Sequence, residues 1–411
     1  MRIFALSCVF LAGIVLEFTM YGIADDSPHL GLDRSAPEDI GLRSSSLKNI
    51  DAAVEAAIRA GEIPGAVILV ARHGRIGYLK AFGERSVRPV PETMTVDTIF
   101  DLASLTKVIA TTPSIMLLVE KGSLRLREKV HRYLPNFKGG GKDEITIRQL
   151  LTHYSGLLPD FDLSKEWSGH AAALKELWNA RTNSEPGSEF QYSDINFIAL
   201  GEVVRAVSGI PLDAFAREHI FVPLGMTDTC FRPPRSLFQR IAPTESRRNT
   251  LKYLKAGEAN ESLDEILRGE VHDPTAWRMG GVAGHAGLFS TAMDLAIFAQ
   301  MLLDDGAYSG GRLLASRTVQ AMTSPESPPN LPQIRGYGWD IDSDYSSPRG
   351  DLFKEGFGHT GFTGTSLWIH PPSDTFVIIL SNCVHPDGGK NINHLRAVIA
   401  NIVAASISNS R

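Results

Sequence analysis

The chain has 411 residues, a formal net charge of −5 and a hydrophobic fraction of 43%. That length accommodates one large domain or two closely joined ones with a substantial core. The mildly acidic balance, without any concentrated basic run, gives no footing for a nucleic-acid partner.

Met1-Arg2, the apolar stretch Ile3 to Leu16 and the small residues of Gly22-Ile23-Ala24 read as a signal peptide over residues 1–24, cleaved after Ala24. A spanning helix needs about 20 apolar residues, and Glu17 interrupts this run. An uncleaved anchor is the alternative. The expected location is periplasmic or secreted. Cys230 and Cys383 then remain, too few over such a length for a disulfide framework, so separate thiols are expected.

Leu47, Ile50, Ala53, Val54, Ala57 and Ile58 share one face of a helix predicted from Ser44 to Ala60. Pro64-Gly65 breaks the pattern. Ala66 to Ala71 and Ile76 to Phe82 follow as a strand hairpin around His73-Gly74. Next comes Phe100-Asp101-Leu102-Ala103-Ser104-Leu105-Thr106-Lys107, leading into an apolar run to Val119 that reads as one buried helix. The middle of the chain carries helical patterns at Phe197 to Val207 and Pro211 to Ile220. Arg232 to Arg268 is polar and poorly patterned, and reads as an insertion over the site. A Gly-rich loop, Gly280 to Ser290, precedes a helix from Ala292 to Leu303 with Thr291 or Ser290 as its N-cap. Strands are predicted at Tyr337 to Ile341, Gly364 to His370 and Thr375 to Leu380, and a closing helix at Asn391 to Ser406.

Strands at both ends with a helical block between predict an α+β fold. Residues 25–411 would form one domain: an antiparallel sheet from about 46–100 and 335–411, flanked by helices, with a mainly helical block over about 101–334.

The chemistry centres on Ser104-x-x-Lys107. On a helix these two lie within one turn, and a serine hydroxyl becomes a good nucleophile only when a neighbour takes its proton. Three further stretches bear on it: Leu150-Leu151-Thr152-His153-Tyr154-Ser155-Gly156-Leu157, Phe190-Gln191-Tyr192-Ser193-Asp194-Ile195-Asn196-Phe197 and Gly358-His359-Thr360-Gly361-Phe362-Thr363-Gly364. In content and order the four resemble the serine β-lactamase and penicillin-binding superfamily, nearest its class C branch of β-lactamases, D-alanyl carboxypeptidases, D-aminopeptidases and esterases. The resemblance covers roughly Leu47 to Ile407 and implies a β-lactamase/transpeptidase-like fold.

It further implies that Ser104 attacks a carbonyl and is acylated, Lys107 accepts or relays its proton, and Tyr192 shuttles a proton to the leaving group. Asp194 stands where the family usually has Asn, which would favour the ammonium form of Lys107 and shift base work to Tyr192. Alternatively, Asp194 caps the following helix. His359-Thr360-Gly361 replaces Lys-Thr-Gly, holding substrate, with the N–H groups of Ser104 and Phe362 as the oxyanion hole. His359 gives up a fixed charge, since His is largely neutral near pH 7. The resemblance therefore leans towards D,D-peptidases and esterases.

His272, Asp273, His285 and His385 lack zinc-ligand spacing and are read as cleft lining or loop structure. The segment Val271-His272-Asp273-Pro274 through Gly287 resembles cell-wall-related members of the superfamily. No cofactor or metal is expected. The expected partner is a small molecule or a peptide, the cell-wall peptide included. The reading is an exported serine hydrolase acting on a D-alanyl peptide or carboxylic ester, with weak β-lactam hydrolysis. Its alternatives are a true class C-type β-lactamase and a non-catalytic penicillin-binding sensor module.

Overall fold

The computed structural model describes residues 31–250 and 265–408. The signal-peptide reading of residues 1–24 and part of the Arg232 to Arg268 insertion lie outside the described residues.

The sheet is assembled from both ends of the sequence. Strands β1 (Gly65–Arg72) and β2 (Arg75–Ser86) pair as a hairpin. Strands β3 (Phe357–Thr360), β4 (Ser366–His370) and β5 (Thr375–Ser381) form a meander. The two groups join where β5 lies antiparallel to β1, with Ile378 opposite Leu69. Shorter strands extend both edges, among them Asp340–Asp342 and Asp33–Arg34, the latter running parallel to the start of β2.

All eight residues of β1 are buried, which explains its unbroken apolar run: a strand covered on both faces has no polar side to alternate. Val67, Leu69 and Ala71 face the main core with Phe376, Ile378 and Leu380 of β5. Ala66, Ile68 and Val70 face the opposite layer with Val377 and Ile379. There helices α1 (Ser44–Arg59) and α6 (Asn393–Ser406) cover the sheet through Leu47, Ile50, Val54, Leu395, Ile399 and Val403.

Three sequence expectations need correction. The helix after Ser104 is not regular. A 3₁₀ turn over Ala103–Leu105 passes into a π-helical turn over Lys107–Thr111 and only then into α2 (Thr112–Glu120). Pro113 has no N–H to donate to the preceding turn, and the α pattern starts beside it, at Thr112. The segment from Pro211 is likewise broken, with a π-helical turn at Arg217–Phe221 between short helical pieces. The strand expected over Tyr337 to Ile341 is confined to Asp340–Asp342, because Gly338 turns the chain with φ +77°. Helices α3 (Asp194–Ser208) and α5 (Ala292–Leu303) match their patterns, and Thr291 caps α5 by accepting the Asp294 N–H. A short helix α4 (Pro274–Arg278) lies in the loop before the Gly-rich stretch.

Candidate active site

Ser104 sits at the start of the broken helix, held by its neighbours. Ala103 has φ +46°, a conformation that costs a non-glycine residue energy and needs outside support. Asp101 provides it: one carboxylate oxygen accepts the Ala103 N–H at 2.8 Å, and the other accepts the His272 N–H at 2.7 Å. The Thr106 hydroxyl donates to the Ala103 carbonyl at 2.7 Å.

Lys107 is fully buried, and its ammonium is enclosed by acceptors. It donates to Ser104 Oγ at 3.0 Å and to the His285 carbonyl at 3.1 Å, and it meets Asp194 Oδ1 at 2.7 Å. The rings of Tyr192 and Phe197 lie 5.1 and 5.7 Å from Nζ. Burial works against the Lys107 charge, but Asp194 and Tyr192 outweigh it and hold its pKa above the ordinary lysine range. Lys107 is therefore an ammonium throughout the neutral range. As the ammonium it donates to Ser104 Oγ.

Tyr192 is sandwiched between two rings. His153 stacks on one face at 4.4 Å between centroids and Tyr345 on the other at 5.0 Å. His153 in turn is fixed at Nδ1 by the Ser193 N–H at 3.1 Å and the Asn196 side chain at 3.2 Å. Burial, reinforced by the Arg335 and Lys107 charges, keeps His153 neutral. Asp194 is not the cap of α3, since Ser193 occupies that position. Asp194 is the first helical residue, with its N–H on the Pro159 carbonyl at 2.6 Å and its carboxylate free to face Lys107.

His359 belongs to β3. It is buried, its Nδ1 lies 2.8 Å from the Thr360 carbonyl, and its ring stands 6.1 Å from that of Tyr192. Burial, with Arg335 and Lys107 nearby, drives its pKa well below the usual histidine value. His359 is thus a neutral wall behind Tyr192, while Thr360, Gly361 and Phe362 line the cleft.

The turn after β3 is tied to the Ser104 segment by Thr363 Oγ1 on the Asp101 carbonyl (2.7 Å) and Thr365 Oγ1 on the Leu102 carbonyl (3.0 Å). Gly361 is required there, because a Cβ would lie 2.4 Å from the Leu102 carbonyl oxygen and 2.1 Å from Thr365 Oγ1. Gly361→Ala is therefore expected to push β3 away from Ser104. Because displacements near 1 Å cost about 10²-fold, steady-state kinetics should show a loss of that size in kcat, with the far-UV circular dichroism unchanged.

Ser104, Tyr192, Tyr345, Thr360, Gly361, Phe362, Lys390 and Arg396 line one cleft of about 400 Å³. Phe362 is 70% exposed at its mouth and stacks on His272 at 5.7 Å. Arg396 is buried and donates to the Gly361 and Thr365 carbonyls at 3.0 Å each.

Among the other sequence candidates, Cys383 lines the cleft while His385, His272 and Cys230 do not. His385 braces loops, with Nε2 accepting the Val87 N–H at 3.0 Å and Nδ1 on the Thr244 carbonyl at 2.7 Å. His272 pairs with Glu245 at 2.7 Å. Cys230 and Cys383 are unpaired. Asp194, Asp273 and His285 bring ligand atoms within 4.8 Å of one another, but the Lys107 ammonium is the cation seated against Asp194. Sequence reasoning assigned no role to Asp101, Asp160, His153 or Tyr345. Asp101 and His153 carried a signal, their places within Phe100 to Lys107 and Leu150 to Leu157.

Residues 50–401 match the family model described as Beta-lactamase. The chain belongs to the beta-lactamase family. As a member it is an enzyme, a serine hydrolase. It is 31% identical over 404 residues, 91% of each chain, to a Salmonella schwarzengrund protein named "Putative D-alanyl-D-alanine carboxypeptidase". Among solved structures, a class C beta-lactamase superposes with TM-score 0.68 at 17% identity, covering 90% of this chain and 98% of that one. EstCE1, a hydrolase with promiscuous acyltransferase activity, superposes with TM-score 0.67 at 24% identity, covering 88% and 99%. At these identities the two structures speak for the fold, which is the α+β fold of β-lactamases and penicillin-binding proteins.

Proposed function

We propose that this enzyme is exported and cleaves a D-alanyl peptide or a carboxylic ester through an acyl-enzyme on Ser104. The observation that carries the proposal is the 3.0 Å contact between Ser104 Oγ and a Lys107 ammonium compensated by Asp194. Lys107 spends a donor on Ser104, so the serine's own proton goes elsewhere, and Tyr192 in the same cleft is the group to receive it. Ser104 Oγ adds to the substrate carbonyl carbon as its proton passes to the Tyr192 phenolate, and the oxyanion forms against the N–H groups of Ser104 and Phe362. Tyr192 returns the proton to the departing amine or alcohol, and water then releases the acyl group by the same steps in reverse.

Lys390 and Arg396 place positive charge at the cleft wall although their donors are engaged, Lys390 on the Ala60 carbonyl and Arg396 on those of Gly361 and Thr365. That charge favours a substrate with a free carboxylate, which a D-alanyl peptide has at its C-terminus. The name of the Salmonella relative supports the same class. His359, buried and neutral, supplies no fixed charge at the position where the family usually has lysine, which ranks β-lactams below peptides and esters. The apolar N-terminal segment supports export to the periplasm or beyond.

The test is one panel on purified protein: a D-Ala-D-Ala peptide, a short-chain nitrophenyl ester and a chromogenic cephalosporin. The expected order of kcat/KM places the peptide or the ester first and the cephalosporin at least about 10²-fold lower, the loss of one well-placed charge contact. Cephalosporin turnover near the diffusional ceiling would reverse the assignment. A stoichiometric adduct with no turnover of any of the three would point to a sensor.

A further inference from the structure

The segment Val271 to Gly287 touches both members of the Ser104–Lys107 pair without belonging to any of the motifs that contain them. Its backbone at His272 donates to Asp101, which holds the turn before Ser104. The next residue, Asp273, meets His285 Nε2 at 2.8 Å, and the His285 carbonyl accepts from Lys107 at 3.1 Å. The loop has little room to shift. A Cβ on Gly284 would stand 1.9 Å from the Phe197 carbonyl oxygen, and Thr111 Oγ1 donates to the Gly284 carbonyl at 2.6 Å. The carbonyls of Gly284 and His285 are thereby aimed at successive turns of the helix that carries Lys107.

We propose that Asp273 and His285 are positioning residues for the Ser104–Lys107 pair: their partly buried ion pair fixes the carbonyl on which the Lys107 ammonium rests and shares the charge of the cluster around it. The inference rests on the reading of Ser104 as the nucleophile.

Charge accounting in the cluster supports it. Two cationic groups, Lys107 and His285, face three carboxyl groups: Asp194 on α3, Asp273 before α4, and Asp160, which accepts from Thr275 Oγ1 at 2.8 Å. Burial opposes the His285 proton, but Asp273 and Asp194 overcome it and raise the His285 pKa. Burial, with Asp273 and Asp194 adding to it and His285 and Thr275 opposing, pushes Asp160 up to about 7. Ionisation of Asp160 above that pH adds a negative charge to the cluster, which disfavours the oxyanion on Ser104, so activity is expected to fall on that limb.

Asp273→Asn keeps the cap on α4, where Asp273 Oδ1 accepts the Ala276 N–H at 2.7 Å, and removes only the charge. The experiment measures kcat, KM and their pH dependence on the best substrate of the panel for wild type, D273N, H285Q and the double variant D273N/H285Q, with S104A as control. The double variant strands no charge and serves where a single variant fails to fold. The expected result is a fall in kcat on the order of 10- to 100-fold with KM little changed. In D273N the inflection near pH 7 should also move to lower pH, because Asp160 loses a negative neighbour, and by less in the double variant, where the opposing His285 charge goes too. D160N should remove the inflection.

Variants with wild-type kcat would overturn the proposal. So would a fall in kcat with the inflection unmoved, since that is what loosened packing alone would give. Turnover surviving in S104A would instead overturn the reading of the nucleophile, whatever the other variants do.

Discussion

Ser104→Ala is expected to abolish turnover of every substrate the enzyme accepts, with a loss on the order of 10⁶-fold in kcat. The same variant should take up no label from a fluorescent penicillin. The size follows from the position of the hydroxyl: Ser104 Oγ is the atom to which the Lys107 ammonium donates, at the wall of the cleft that Tyr192 also lines. Losing it removes the acyl-enzyme route itself and leaves only the oxyanion donors and substrate binding. The fold should be unaffected, because the groups that hold the turn act on other atoms: Asp101 on the Ala103 N–H and Thr106 on the Ala103 carbonyl. Equal melting temperatures for wild type and variant, with activity and labelling both absent in the variant, make up the expected result. A variant that hydrolyses ester or peptide at the wild-type rate would show that the reaction does not pass through Ser104.

Asp194→Asn should produce the largest combined effect on stability and pH dependence. In wild type Asp194 lies 2.7 Å from a fully buried ammonium, and removing one partner of such a pair costs roughly 3 kcal/mol. For a chain of this size that is a drop of a few degrees in melting temperature. The sign of the pH effect follows from Lys107. Its folded pKa now lies above the unfolded value, so its stabilising contribution is fully present below the ordinary lysine range and is constant over about pH 5 to 9. Without Asp194, desolvation becomes the leading influence and lowers the folded pKa. Protonation then favours the unfolded chain, and the variant loses stability as pH falls.

Activity should change shape as well. A Lys107 that can give up its proton becomes a base towards Ser104, so the pH–kcat profile of D194N should rise on an ionisation that the wild-type profile lacks. Thermal melts and initial rates across that pH range would check both. A wild-type profile and stability in D194N would mean that the Asp194–Lys107 contact carries neither role.

How much was legible from the chain alone varies by element. The buried strands of the sheet were readable because a strand covered on both faces must be apolar at successive positions, as in Ala66 to Ala71. Helix α1 was readable because its one buried face repeats at helical spacing through Leu47, Ile50 and Val54. The irregular turn at Lys107–Thr111 was not, because its residues are as apolar as those of an ordinary buried helix and only the backbone pattern differs. Tyr337 to Ile341 misled for the opposite reason: its apolar content belongs to core residues, Trp339 and Tyr337 among them, on a chain that Gly338 turns.

At the site, local order in the chain determines the pairing of Ser104 with Lys107, since three residues on one turn bring the two side chains together wherever that turn is placed. It also determines the chemical types at Tyr192, Asp194 and His359. Their ionisation is another matter. That Lys107 keeps its proton, that His359 and His153 lose theirs, and that Asp160 sits near neutrality all depend on how deeply each group is buried and which charges face it. The facing charges come from segments far apart in sequence: Asp194 for Lys107, Arg335 and Lys107 for His153 and His359, and Asp273, Asp194 and His285 for Asp160. Such distances are set by the packing of whole elements against one another, and a carboxylate's effect on a lysine changes by kilocalories over a few ångströms in a poorly screened interior. The sequence therefore points to the candidate nucleophile and its neighbours. Which of those neighbours carries the proton is decided by the tertiary structure.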